Sequence, residues 1–127
     1  MWRLLFSVLA AFIGLASAQA AIKGEAVEYK VGATVHKGYL AYDDAIKGKR
    51  PGVLVIHEWW GEDQHARNSA RKLAEAGYVA LALDMYGGGK QAHHPDDAGK
   101  FSGEVRKNLP LMKSRFEAGR VEISLPA

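Results

Sequence analysis

Two short segments concentrate the side chains able to do chemistry, His57-Glu58-Trp59-Trp60-Gly61 and Asp84-Met85-Tyr86-Gly87-Gly88-Gly89-Lys90. A carboxylate such as Glu58 at the end of an apolar run can order a nucleophile or accept its proton; it can equally serve only to hydrogen-bond the amides of its own loop. His57-Glu58 begins like the H-E-x-x-H zinc motif, but Gly61 stands where the second histidine is required, and the segment leaves a strand instead of lying on a helix. His93-His94 with Asp96 reads as a solvated loop, because adjacent histidines point in different directions. Gly87-Gly88-Gly89-Lys90 has neither the Ser/Thr nor the spacing of a phosphate loop and reads as a flexible surface turn. Neither a metal nor a cofactor is implied.

Acyl transfer needs an activated nucleophile, and candidates are few. Cysteine is absent, which excludes a thiol nucleophile, a zinc-thiolate site and disulfide stapling. Ser69, Ser102 and Ser114 fall in predicted helices, Ser124 lies in the terminal segment, and Ser7 and Ser17 belong to the apolar leader. No G-x-S-x-G turn occurs anywhere in the chain.

The elements that must carry these segments follow from apolar periodicity. Ala26 to Tyr29 and Thr34 to Tyr42 alternate with a period of two around Gly32, which predicts an antiparallel pair of half-buried strands. Asp43 to Arg50 is a charged surface loop. Val53-Leu54-Val55-Ile56 and Tyr78 to Leu83 have no polar face, the signature of strands covered on both sides. Between them Ala66, Ala70, Leu73 and Ala74 fall on one face of a helix that Gly77 closes, so the whole is a βαβ unit with parallel strands. Pro95 to Lys107 reads as a helix after a glycine-rich loop. A second helix starts at Asn108-Leu109-Pro110, passes Met112 and Phe116 and is expected to stop at Gly119, leaving Val121 to Pro126 as the beginning of a strand. The fold class is α/β, and ligands on such sheets bind beyond the carboxyl ends of the strands, where both chemistry-bearing segments fall.

The first twenty residues differ in character. Met1-Trp2-Arg3 gives a positive start, Leu4 to Leu15 is uncharged and apolar, and Ala16-Ser17-Ala18 and Ala18-Gln19-Ala20 offer small-residue cleavage sites. That layout predicts a signal peptide over residues 1–20, cut near Ala18 or Ala20, and a periplasmic or secreted product. The apolar run is too short for a membrane anchor, so no membrane association is expected after cleavage. The remaining chain, 48% hydrophobic and 24% charged over the full 127 residues, has the composition of a globular protein. Its small positive charge is interspersed with acidic groups, so nucleic acid is not an implied partner.

The order of residues from Arg50 to Gly61, from Leu73 to Gly87 and from Ala92 to Ala118 resembles the dienelactone hydrolase family of α/β hydrolases. The resemblance implies hydrolysis of a carboxylic ester or lactone. It also implies that Glu58 orients the resting nucleophile and that the backbone N–H of Trp59 donates to the oxyanion, an interaction worth about 3 kcal/mol in such sites. Trp60, Tyr86 and Lys90 are the expected substrate-side residues. Trp59 and Trp60 either line an apolar pocket or pack against loop and helix. Relatives acting on dienelactone itself carry an arginine just after Asp-x-Tyr, where this chain has three glycines and then Lys90, so that particular substrate is not implied.

The same likeness implies that the nucleophile, acid and histidine of the triad follow the helix ending near Ala118. The expectation is therefore the N-terminal half of an α/β-hydrolase sheet over residues 21–118 and an aberrant tail over 119–127, inactive alone. The alternative is a non-catalytic small-molecule-binding or interaction domain. In either case the strand Val53 to Ile56, which in such folds lies beside the nucleophile-bearing strand, would present an unpaired edge open to self-association.

Overall fold

The computed structural model describes residues 21–124; the expected signal peptide over residues 1–20 and the last three residues lie outside it. The chain forms β1 (Ile22–Val31), β2 (Thr34–Asp43), β3 (Gly52–Val55), α1 (Gln64–Glu75), β4 (Val79–Ala82), α2 (Pro95–Arg106) and α3 (Leu109–Ser124). One mixed sheet has the order β1-β2-β4-β3. β1 and β2 are antiparallel, with Val31 opposite Thr34 across a turn in which Gly32 takes a φ of 59°. A left-handed first residue suits the twist of a two-residue hairpin. β4 inserts between this hairpin and β3, antiparallel to β2 and parallel to β3.

The strand β4 explains the layering. Ala80 and Ala82 point to one face and Leu81 and Leu83 to the other, and all four are fully buried. Small residues on the first face let α1 approach closely through Ala66, Ala70 and Ala74, with Ala41 of β2 completing that layer. On the opposite face Leu81 and Leu83 meet Tyr29, Met85, Tyr86 and Val105, with Phe101 of α2 and Met112 and Ile123 of α3 packed against them. Each buried leucine contributes about 2 kcal/mol from removal of apolar surface from water.

Helix ends obey local chemistry. The Asp63 carboxylate accepts from the Ala66 amide at 3.2 Å and opens α1. Gly77 and Tyr78 close it by donating to the carbonyls of Ala74 and Leu73, a pairing that needs the left-handed φ of 96° at Gly77. His94 caps α2 by accepting from the Asp96 amide, and Asn108 caps α3 by accepting from the Leu111 amide.

Two expectations fail for identifiable reasons. Gly119 does not end the last helix: α3 continues to Ser124, and Val121 to Ser124 are helical, not the start of a strand. The glycine serves packing, since a Cβ there would overlap the side chain of fully buried Leu83. β3 is not covered on both faces as β4 is. It is the last strand of the sheet, Val53 to Val55 are only half-buried, and Ile56 just beyond it is 49% exposed.

Candidate functional site

The loop after β3 and the loop after β4 meet at the carboxyl ends of the two parallel strands. The second loop is organised by Asp84, which is fully buried. Its carboxylate accepts from the amides of Tyr86, Gly87, Gly89 and Lys37 at 3.2, 2.9, 2.7 and 3.0 Å. Gly87, Gly88 and Gly89 all have left-handed φ, which lets successive amides converge on one carboxylate. The segment is thus a pinned turn and not the flexible one expected. Arg115 of α3, itself buried, donates from one guanidinium nitrogen to the carbonyls of Met85 and Tyr86 at 2.8 and 3.0 Å. Tyr29 accepts from the Asp84 amide at 3.1 Å, and burial pushes its phenol up to about 12. His36 donates from Nδ1 to the Asp84 carbonyl at 2.7 Å.

Four bonds tie the two loops together, one of them from the Gln91 side-chain amide to the Glu62 carbonyl at 2.8 Å. In the other three the Tyr86 hydroxyl donates to the Trp59 carbonyl at 2.7 Å, the Met85 amide donates to His57 Nε2 at 3.1 Å, and the Ala92 amide donates to the Trp60 carbonyl at 2.9 Å. Glu62, 2% exposed, braces the base of the first loop through a two-pronged bond from Arg67, Nε and Nη2 each lying 3.0 Å from a carboxylate oxygen. Burial pushes the Glu62 carboxyl above the ordinary carboxylate value in spite of the arginine. Because Met85 N–H can only donate, His57 carries its proton on Nδ1, which donates to the Glu58 carbonyl at 2.7 Å. Burial holds the His57 pKa below 6.5. The Glu58 carbonyl accepts a second bond from the Gly61 amide at 3.2 Å. Among the described residues nothing accepts from the Trp59 N–H.

These loops, α2 and α3 border an open crevice of about 300 Å³, its apolar lining Ile56, Met85, Val105 and Met112 and its other lining residues His57, Glu58, Trp59, Tyr86, Ser102 and Arg106. Of the residues expected at a site, Glu58, Trp59 and Tyr86 come together here. The Glu58 side chain is 77% exposed and lies 3.7 Å from His65; it binds no loop amide. Trp59 donates from Nε1 to Ser102 Oγ at 3.0 Å. The Tyr86 hydroxyl is spent on the Trp59 carbonyl, and burial raises its pKa. Trp60 and Lys90 do not line the crevice. Trp60 stacks at a tilt on Trp59, and Lys90 sits over the Phe101 ring, 3.8 Å from Glu104, because the Asp84-centred turn carries it away from the strand ends.

Sequence reasoning missed Asp84 as the organiser of the second loop, Arg115 as its brace, and Arg106 and Ser102 as wall residues. The helical spacing of Ser102, Val105 and Arg106 was the available signal for the wall. None of the described serines sits at a strand-to-helix turn: Ser69, Ser102, Ser114 and Ser124 are all within helices. No group of three or more His, Asp or Glu side chains among the described residues is placed to hold a metal ion.

The model of the dienelactone hydrolase family matches residues 36–122, which takes in both loops, α1, α2, nearly all of α3 and three of the four described strands, leaving out β1. The chain belongs to the dienelactone hydrolase family. A family relative in Aquifex pyrophilus, protein usf, is 40% identical over 88 residues, 67% of this chain and 36% of its own length. One from Aquifex aeolicus, named as a provisional carboxymethylenebutenolidase, is 41% identical over 99 residues, 75% of this chain and 41% of its own. Among solved structures, the dienelactone hydrolase-like promiscuous phosphotriesterase P91, from metagenomic libraries, superimposes with a TM-score of 0.76 at 31% identity, over 82% of this chain and 43% of its own. The chain therefore spans well under half the length of these dienelactone hydrolase relatives.

Proposed function

We propose that residues 21–124 supply the oxyanion donor and the substrate crevice of a carboxylic ester or lactone hydrolase. The observation that carries this reading is the Trp59 N–H, which has no acceptor among the described residues and lies beside the crevice in a loop held by four inter-loop bonds. A preorganised donor that costs nothing to reorient is what a developing negative oxygen requires. The exposed Glu58 carboxylate at the mouth is free to order a nucleophile and accept its proton, as the family resemblance implies. A hydroxyl or thiol attacking the ester carbonyl would lose its proton to a base as the carbonyl oxygen takes up the electron pair. No described residue combines nucleophile and base, so the chain alone should not turn over an ester.

A chimera joining this chain to the C-terminal portion of the Aquifex aeolicus relative tests the proposal. It should hydrolyse p-nitrophenyl acetate, and Trp59→Pro, which deletes the N–H, should lower kcat by roughly 10²–10³-fold. An active chimera in which Trp59→Pro changes kcat less than threefold, or roughly within one half of a decade, would remove the oxyanion role.

The second reading, a non-catalytic small-molecule binder, draws on the same crevice with its largely apolar lining and its want of a nucleophile among the described residues. Saturable binding of small esters by the chain without any turnover, together with an inert chimera, would favour it. The leader pattern supports a separate proposal, that residues 1–20 are removed on export to give a periplasmic or secreted protein. Mass spectrometry of the exported product should find an N-terminus at Gln19 or Ala21, and recovery of an intact Met1 would overturn it.

A further inference from the structure

We infer that His57 is the positioning residue of the Trp59 oxyanion donor, acting through the peptide plane that joins Glu58 to Trp59. The inference rests on the hydrolase reading above and takes it one step deeper. A trans peptide is planar, so the C=O of Glu58 and the N–H of Trp59 point in opposite directions along one rigid unit. Whatever fixes the carbonyl fixes the donor. Here the carbonyl is held by the His57 ring at 2.7 Å and by the Gly61 amide at 3.2 Å. The ring is fixed in turn, because its other nitrogen accepts from the Met85 amide at 3.1 Å and it packs in a T-shaped contact on the Tyr86 ring with centroids 4.6 Å apart.

The chain of support runs from the Asp84-centred turn, through the Met85 amide, through one imidazole, to the Glu58–Trp59 peptide. It is complete only for the neutral ring with its proton on Nδ1. The Nε2–H tautomer would face the Met85 N–H donor to donor and leave the Glu58 carbonyl without its short bond, and the imidazolium would lose the Met85 bond. The charged and titratable groups around the ring are Glu58 and Asp63 on its own loop, Asp84 and Tyr86 on the opposite loop, and Arg106 across the crevice from α2. The acidic groups favour the cation, yet burial outweighs them and the ring stays neutral at neutral pH.

The test is nuclear magnetic resonance on the labelled protein. At neutral pH the His57 nitrogens should show a protonated Nδ1 and a bare Nε2. Two variants divide the ring's duties: His57→Asn keeps a donor where Nδ1 lies, and His57→Gln keeps an acceptor where Nε2 lies. His57→Asn should leave the Glu58 carbonyl carbon and the Trp59 amide nitrogen near their native shifts and displace the Met85 amide. His57→Gln should do the reverse. A protonated Nε2, or a His57→Gln protein whose Glu58 carbonyl and Trp59 amide do not move, would overturn the assignment. A merely structural histidine predicts the same disturbance in both variants, an outcome that also counts against it. The readout does not depend on ester turnover, so its failure is separable from that of the Trp59→Pro chimera.

Discussion

At the residue scale, the two loops are held by groups bonded to one another while the Trp59 N–H is left without an acceptor among the described residues, so single-atom changes in the support should be felt. Tyr86→Phe deletes the bond to the Trp59 carbonyl and should cost about 1 kcal/mol in urea unfolding, with increased amide exchange confined to the loop after β3. His57 gives a pH dependence of definite sign. Burial holds its folded-state pKa below 6.5, so the unfolded chain binds the proton first on acidification. The contribution is fully present above that value and declines as pH falls below it, down to the native ring's own titration. Denaturation midpoints at about pH 7.5 and about pH 5.5 should diverge in the native protein and diverge less in His57→Asn, where the buried imidazole at position 57 is gone. Little of this was legible beforehand. Glu58 and Trp59 could be singled out because the residues around them carry the family pattern. Asp84 could not be assigned its role, since an aspartate before three glycines looks the same whether its carboxylate faces water or collects four amides. The tautomer of His57 depends on Met85, 28 residues away, and no local pattern encodes it.

At the element scale, the sequence specified strands and helices well wherever periodicity and end chemistry agreed. The alternation of alanine and leucine in β4 and the Ala66, Ala70, Ala74 stripe of α1 are two halves of one layer, and both are readable without the fold. Gly119 misled because glycine has two uses in a helix, ending it or letting a neighbour approach, and only the position of Leu83 decides between them. The distinction is testable with two alanine substitutions of identical local chemistry. Gly119→Ala should destabilise by about 1–3 kcal/mol through overpacking against Leu83. Gly103→Ala in α2, where a methyl would meet nothing within 4 Å, should stabilise by about 0.5–1 kcal/mol. The brace between the first loop and α1 makes a third case. Arg67→Ala leaves the buried Glu62 carboxylate without its partner and should cost about 2–3 kcal/mol, less than for a fully enclosed pair because Arg67 is partly open to water.

At the scale of the whole molecule, β3 is paired on one side only among the described residues, and beside it Ile56, Leu109 and Phe116 are exposed around a further apolar hollow of about 480 Å³. Edge strands of this kind recruit other chains unless a charge interrupts them. We expect the isolated protein to self-associate through this edge, and Ile56→Lys to shift it toward monomer in sedimentation velocity without changing its circular dichroism. A native protein that sediments as a monomer at all concentrations would contradict this. The order β1-β2-β4-β3 also governs how the chain can be assembled while it is being made. The hairpin and β3 leave the ribosome before the one strand that joins them, and β4 must then slide into the gap from the C-terminal side. Until its register of Leu81 opposite both Leu40 and Leu54 is reached, no cooperative sheet can exist, since two-stranded hairpins are marginal alone. A nascent polypeptide of this topology therefore stays threadable until late in its synthesis, and arrest-peptide force measurements should record tension only after Ala82 has cleared the exit tunnel.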